Sequence, residues 1–298
     1  MRASAAPRGP AVSPKLYELV TQKIVDSLKE GVVPWRKPWR ARRSLPCNAV
    51  TSKPYRGVNL LLLGLTPYED HRWLTFRQAT ELGGKVRKGE KSAMVVFWKH
   101  WQKEKEVEGS DKPKRTSIPV LKYHSVFNAE QCEGLALAPI LGAGSVSDED
   151  RIRGAEALIC SMPNPPFIEE RGDQAFYLPT EDIVRIPKIS RFDTVDQYYA
   201  TTFHELGHST GHKKRLNRKG VMGRIHFGSE DYGREELVAE LTSSFCCASV
   251  GLDNTLPASA SYIDSWLKSL ERDPKAVVVA AAQAQKAADY IRGLEYSE

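Results

Sequence analysis

The segment Phe203-His204-Glu205-Leu206-Gly207-His208 restricts this chain more than any other, because its residues can act together only on a helix. Histidines four apart share one helical face, so both imidazoles can reach a single metal ion. Glu205 then lies beside the open position of that ion, where it can take a proton from bound water. A metal held this way lowers the pKa of the water towards neutrality and polarises a carbonyl, which points to amide hydrolysis. The preceding residues favour the helix: Val195, Tyr198, Tyr199 and Phe203 recur at helical spacing, and Asp193 or Thr194 can cap its start.

Such a site needs a third protein ligand. Gly211 stands at the seventh position after His204, where some zinc peptidases turn the chain, but the expected third histidine is replaced by Lys214. His212, just past that glycine, is a decoy or an outer-sphere group. The segment YGREELVAEL offers Glu236 and Glu240 on one helical face, with Leu237, Leu241 and Phe245 on the buried side. We expect Glu236 to ligate the metal and Glu240 to fix an imidazole by accepting its hydrogen bond. Glu235 remains an alternative ligand, since a small helix rotation would bring it round. Ile183–Ile186 reads as a strand, either plainly structural or an edge that binds substrate backbone.

Charge divides the 298 residues unevenly. The net charge of +6 is the sum of +12 over residues 1–140 and −6 over residues 141–298. A basic half suggests a polyanionic partner or simply a solvated surface. The Gly/Ser-rich, then acidic stretch 139–151 reads as a linker. The expected layout is a tail at 1–13, a basic domain at 14–138, that linker, and a second domain at 152–298. The five cysteines form no CxxC pair, which favours a reducing compartment over a disulfide framework. No apolar run is long enough to span a bilayer and no secretory h-region opens the chain, so a cytoplasmic protein is expected.

Within the basic half, LYELVTQKIVDSLKEG reads as a packing helix. PWRKPWRARR then interleaves Trp35 and Trp39 with Arg36, Lys37, Arg40, Arg42 and Arg43, and Lys53, Tyr55 and Arg56 follow with no acidic residue between. Two prolines forbid a continuous helix there. Aromatic faces stacking on bases, with cations along the phosphates, would suit single-stranded nucleic acid; the alternative is that the tryptophans are core anchors. Arg87 and Lys88 belong to a basic turn after a short helix at Thr75–Leu82. Ala93–Trp98 reads as a strand, and Gln102–Thr116 as a mobile loop. No helix-turn-helix, zinc finger or RNP pattern accompanies these features.

The order PWRKPW, YRGVNLLLL, TFRQATELGGKVRKGEK, DIVRIP, HELGHSTGH, YGREELVAEL and the alanine-rich tail resembles the ArdC-type antirestriction proteins of conjugative plasmids, from about Leu16 to Leu294. The resemblance implies an α+β protein: a mixed α+β domain that binds single-stranded DNA, then a mainly helical zincin-like metallopeptidase domain. It maps His204, Glu205 and His208 onto the family's motif and its later glutamate within Glu235–Glu240. The implied cofactor is Zn2+, with Mn2+ or Co2+ also compatible with the donor set. The implied role is protection of incoming plasmid DNA, with a DNA-bound host protein such as a restriction nuclease as a partner. The peptidase half is also similar to Spartan-type proteases that act on DNA-bound proteins. A non-catalytic shield that coats single-stranded DNA is the competing expectation.

Overall fold

The computed structural model describes residues 14–36, 45–105, 114–138, 147–218, 221, 230–254 and 260–294. The expected tail and the candidate DNA contacts Lys37, Trp39, Arg40, Arg42 and Arg43 lie outside them. The fold is α+β, with the larger sheet in the first half and mostly helices in the second. The first half runs α1 (Pro14–Lys29), β1 (Cys47–Asn48), α2 (Val58–Gly64), β2 (Arg72–Leu74), α3 (Phe76–Glu81), β3 (Lys85–Val86), β4 (Ala93–Lys105), β5 (Lys114–Asn128) and β6 (Cys132–Glu133). The second runs α4 (Asp148–Ser161), β7 (Phe167–Glu170), β8 (Phe176–Leu178), β9 (Ile183–Ile186), α5 (Val195–Ser209), α6 (Glu230–Val250), α7 (Ala260–Arg272) and α8 (Ala276–Ile291).

Local chemistry accounts for these elements. In α1 the face Leu16, Val20, Ile24, Val25 and Leu28 is buried, and Gly31 at φ 77° turns the chain out of the helix. Thr75 caps α3 in a capping box with Gln78. Helix α4 begins inside the span read as a linker. Its N-cap is Ser147, and Asp148, Glu149 and Asp150 occupy its first turn, where negative charge suits the helix dipole. The four-stranded sheet has the order β1-β2-β5-β4, parallel only between β1 and β2. Its β4–β5 ribbon continues through Lys105↔Lys114, so Gln102–Lys105 and Lys114–Thr116, expected to be loop, are paired strand. Charge content hid them: ladder hydrogen bonds are made by backbone and tolerate polar side chains.

The second half carries a three-stranded sheet in the order β7-β9-β8. Ile183–Ile186 is its central strand, parallel to β7 and antiparallel to β8, so both of its edges are taken. It is a structural strand and offers no edge for substrate backbone.

One apolar cluster joins the halves. It runs from Leu16, Ile24 and Trp35 through Leu60–Leu62 to Phe203, Leu237, Phe245, Trp266 and Ile291. Polar ties reinforce it: Thr21 Oγ1 donates to the Pro274 carbonyl at 2.6 Å, the Gly57 amide donates to Gln285 Oε1 at 2.9 Å, and Arg56 pairs with Asp289. All five cysteines are free thiols, and burial pushes Cys246 up to about 12. No described helix is long and apolar enough to cross a membrane.

Candidate functional site

Helices α5 and α6 bring the candidate metal ligands together. Thr194 caps α5 by accepting the Gln197 amide, and Tyr199, Phe203 and Leu206 bury its opposite side. Gly207, between the two histidines, lets α6 come close: a Cβ there would stand 3.2 Å from Ala239 Cα and from Thr242 Cβ. Ser243 Oγ donates to the Ala200 carbonyl at 2.7 Å and fixes the register of the helices.

At this junction His204, His208 and Glu236 converge, with ligand atoms all within 4.8 Å of one another. The two Nε2 atoms are 3.1 Å apart, and each lies 3.5 Å from a different oxygen of Glu236. A tetrahedral ion with bonds of about 2.0–2.1 Å has ligand–ligand edges of about 3.3–3.4 Å. The His204–His208 separation and each histidine's separation from its nearer Glu236 oxygen are therefore each close to one edge of such a site. Its charge also suits a cation. Burial by itself would lower the His204 pKa, but the Glu236 hydrogen bond and the charges of Glu205, Glu240 and Glu236 raise it to about 9. Burial would likewise raise Glu236, yet His204 and the charge of His208 hold it at about 2. The proton on the imidazole occupies a place where this much negative charge favours a divalent ion.

Glu205 is buried beside His204 and contributes to that field. Glu235 is buried on the far side of His208, its Oε1 3.6 Å from Nδ1, and is gripped by Arg218, whose Nε donates to Oε2 at 3.1 Å. It sits behind the His208 imidazole rather than among the three converging groups. Glu240 lies one turn beyond Glu236 and accepts from Arg36 Nη2 at 3.1 Å, while no hydrogen bond joins it to an imidazole. His212 is buried away from the cluster, 3.7 Å from Asp182.

The expected DNA contacts scatter. Trp35 is 1% exposed, edge-to-face against Trp266 at 5.1 Å, with its carbonyl accepting from Ser244 Oγ at 2.6 Å. It is a core anchor and cannot stack on a base. Arg36 is committed to Glu240 in a buried ion pair and is not a free phosphate contact. Tyr55 is half-buried among apolar neighbours, and Arg56, though exposed, pairs with Asp289. Arg87 pairs with Glu90, while Lys53 and Lys88 are exposed. A cleft of about 940 Å3 opens between α1, α2 and the start of β4, with Lys23, Arg36, Tyr68 and Lys91 on its walls.

The sequence reading missed an aromatic surface on the β4–β5 ribbon. Phe97 and His124 stack at 4.4 Å and 7°, and register puts exposed Lys99 and Lys122 on the same face. Trp98 and Tyr123 are exposed on the other face. Alternation in AMVVFWK and LKYHSVF was the available signal, but the pairing that aligns the two strands is visible only in the fold.

Two protein families match the chain. Residues 14–127 match the family described as the N-terminal domain of anti-restriction factor ArdC, and residues 155–283 match the zincin-like metallopeptidase family. The chain is 35% identical to DNA primase TraC of Escherichia coli over 95% of its own length, but spans only 20% of TraC. It is also 35% identical to the uncharacterized protein y4eC of Sinorhizobium fredii, covering 95% of this chain and 94% of that one. The antirestriction ArdC protein from R388 plasmid superposes with a TM-score of 0.74 in its metal-free crystal structure, at 38% identity over 93% of this chain and 96% of that one. Its Mn(II)-bound structure gives 0.72 at 37% identity over 93% and 97%.

Proposed function

The chain belongs to the ArdC family of antirestriction proteins, and from that premise we propose that its halves divide one task. The basic half holds single-stranded DNA, and the helical half hydrolyses a protein bound to that DNA, such as a host restriction nuclease, while plasmid DNA enters a recipient cell. The observation that carries this reading is the convergence of His204, His208 and Glu236 with Glu205 buried next to them. His204, His208 and Glu236 would hold a divalent ion, Zn2+ by donor type and Mn2+ by analogy with the ArdC structure. Once bound, that ion supplies Lewis acidity and an activated water.

The residues of the chain do the rest. Glu205 carboxylate accepts the proton that the nucleophile gives up and returns it to the departing amine. Glu235, held by Arg218, keeps the His208 ring turned so that its Nε2 faces Glu236. On the DNA side, the flat Phe97–His124 pair with Lys99 and Lys122 supports a stacking platform flanked by cations. Exposed Lys53 and Lys88 add positive charge.

The test is Glu205→Gln in the full chain, assayed for metal uptake, for single-stranded DNA binding and for cleavage of DNA-bound protein alongside protection in conjugation. We expect uptake and binding to persist and cleavage-dependent protection to vanish. Undiminished protection would replace the peptidase by the non-catalytic shield.

A further inference from the structure

The metal centre is backed unequally by its own half of the chain. Behind His208 stands a carboxylate held by an arginine: Nδ1 to Glu235 at 3.6 Å, and Glu235 to Arg218 through two guanidinium nitrogens. Both supporting residues lie within the helical half. His204 needs the same support. Its Nε2 is turned to the cluster, so Nδ1 must carry the proton, and a ligating imidazole ordinarily donates that N–H to a carboxylate. Nδ1 of His204 is buried without a hydrogen-bond partner, and so is Oε2 of Glu240, on the turn of α6 that follows Glu236. One is a donor and the other an acceptor, both with an unmet hydrogen bond, and the charge of Glu240 acts on His204. The other oxygen of Glu240 is held by Arg36, at 3.1 Å and with side chains only 14% and 9% exposed.

We infer that Arg36 is a positioning residue of the metal centre: it holds Glu240 behind His204 as Arg218 holds Glu235 behind His208. The second support thus comes from the basic half, and the metal site is incomplete without it. The segment that delivers Arg36 is fixed for this purpose. Trp35 is clamped against Trp266, and its carbonyl accepts from Ser244, one turn beyond Glu240 on the same helix. The inference rests on the reading of His204, His208 and Glu236 as metal ligands.

The experiment titrates Mn(II) into the full-length chain, its Arg36→Met, Arg36→Lys and Glu240→Gln variants and the Arg36→Met/Glu240→Gln double variant. It follows free Mn(II) by electron paramagnetic resonance and records each metal-free thermal midpoint. Loss of an outer-sphere partner costs about 10–100-fold in metal affinity. We expect Arg36→Met to fall in that range, Arg36→Lys to recover part of it, and the double variant to bind no worse than Glu240→Gln alone. Arg36→Lys keeps the charge while losing the guanidinium fork, so it and Glu240→Gln carry the test if Arg36→Met does not fold. Affinities within about twofold of wild type, whatever the midpoints do, would make Arg36 a structural tether and overturn the inference. A wild-type chain that takes up no Mn(II) would sink the underlying metal reading instead, and the inference with it.

Discussion

The His204–His208–Glu236 cluster and the basic segment around Trp35 are made of ordinary residues, and spacing separates them. His204, Glu205 and His208 carry geometry in their numbers, because a helix converts a step of four into a shared face. PWRKPWRARR carries only composition. Its tryptophans and arginines are as useful inside a protein as on a nucleic acid, and Trp35 and Arg36 are inside. A regular element makes sequence separation a distance, whereas an irregular segment does not.

Several measurements would break or sharpen that contrast. The largest effect is expected at the residue whose role follows most directly from spacing: Glu205→Gln should lower peptide hydrolysis by about 10²–10⁴-fold, the usual worth of a general base. A kinetic assay with metal occupancy verified would show it, and a rate within tenfold of wild type would remove Glu205 from the chemistry. Next comes Trp35→Ala, which should cost about 3–5 kcal/mol of folding stability in urea while leaving DNA affinity of the folded protein unchanged. An affinity loss without destabilisation would return Trp35 to the DNA surface.

Acidity probes the metal side from another direction. Without metal, His204 is raised to about 9 from an unfolded value near 6.5. Its stabilising contribution is therefore complete below about 6.5 and is lost as pH rises through about 9. Metal must displace that proton, so metal affinity should run the opposite way, tightening by up to about tenfold per pH unit between 7 and 9. Flat affinity across that interval would mean that His204 does not bind the ion through the protonated nitrogen. Smaller effects are expected on DNA. Phe97→Ala should weaken single-strand binding by about 1–3 kcal/mol if a base stacks there. Lys88→Ala should reduce the salt dependence of log K by about 0.7, the share of one phosphate contact. Two unaltered titrations would move the interface elsewhere on the basic half.

Much of the architecture was legible because side-chain periodicity reports it. The apolar face of α1, the Thr194 cap of α5 and the break between α7 and α8 at Asp273–Pro274 all appear where their residues suggest. What stayed hidden depends on partners distant in sequence. The ribbon beyond Trp98 is held by backbone pairing, which leaves no apolar signature. The central place of β9 follows from two flanking strands, not from IVRI itself. The acidic start of α4 resembled a linker because a helix N-terminus and a loop favour the same residues. Within the candidate metal site, Glu236 and Glu205 could be nominated from spacing, whereas Glu240 was expected behind an imidazole and it is Glu235 that stands behind His208. Their surroundings are set by Arg218 and Arg36, and Arg36 lies 204 positions away from Glu240.

Gly207 has a consequence that reaches beyond helix packing. Two of the converging side chains ride on one rigid rod and the third on another, so the gap between the rods would act as a caliper for a bound ion. A hydrogen atom at residue 207 sets the jaws, since a methyl group there would meet the Ala239 backbone at 3.2 Å. Alanine at this position would act as a shim, pressing on Ala239 and Thr242 of the second rod and asking it to give by a few tenths of an ångström.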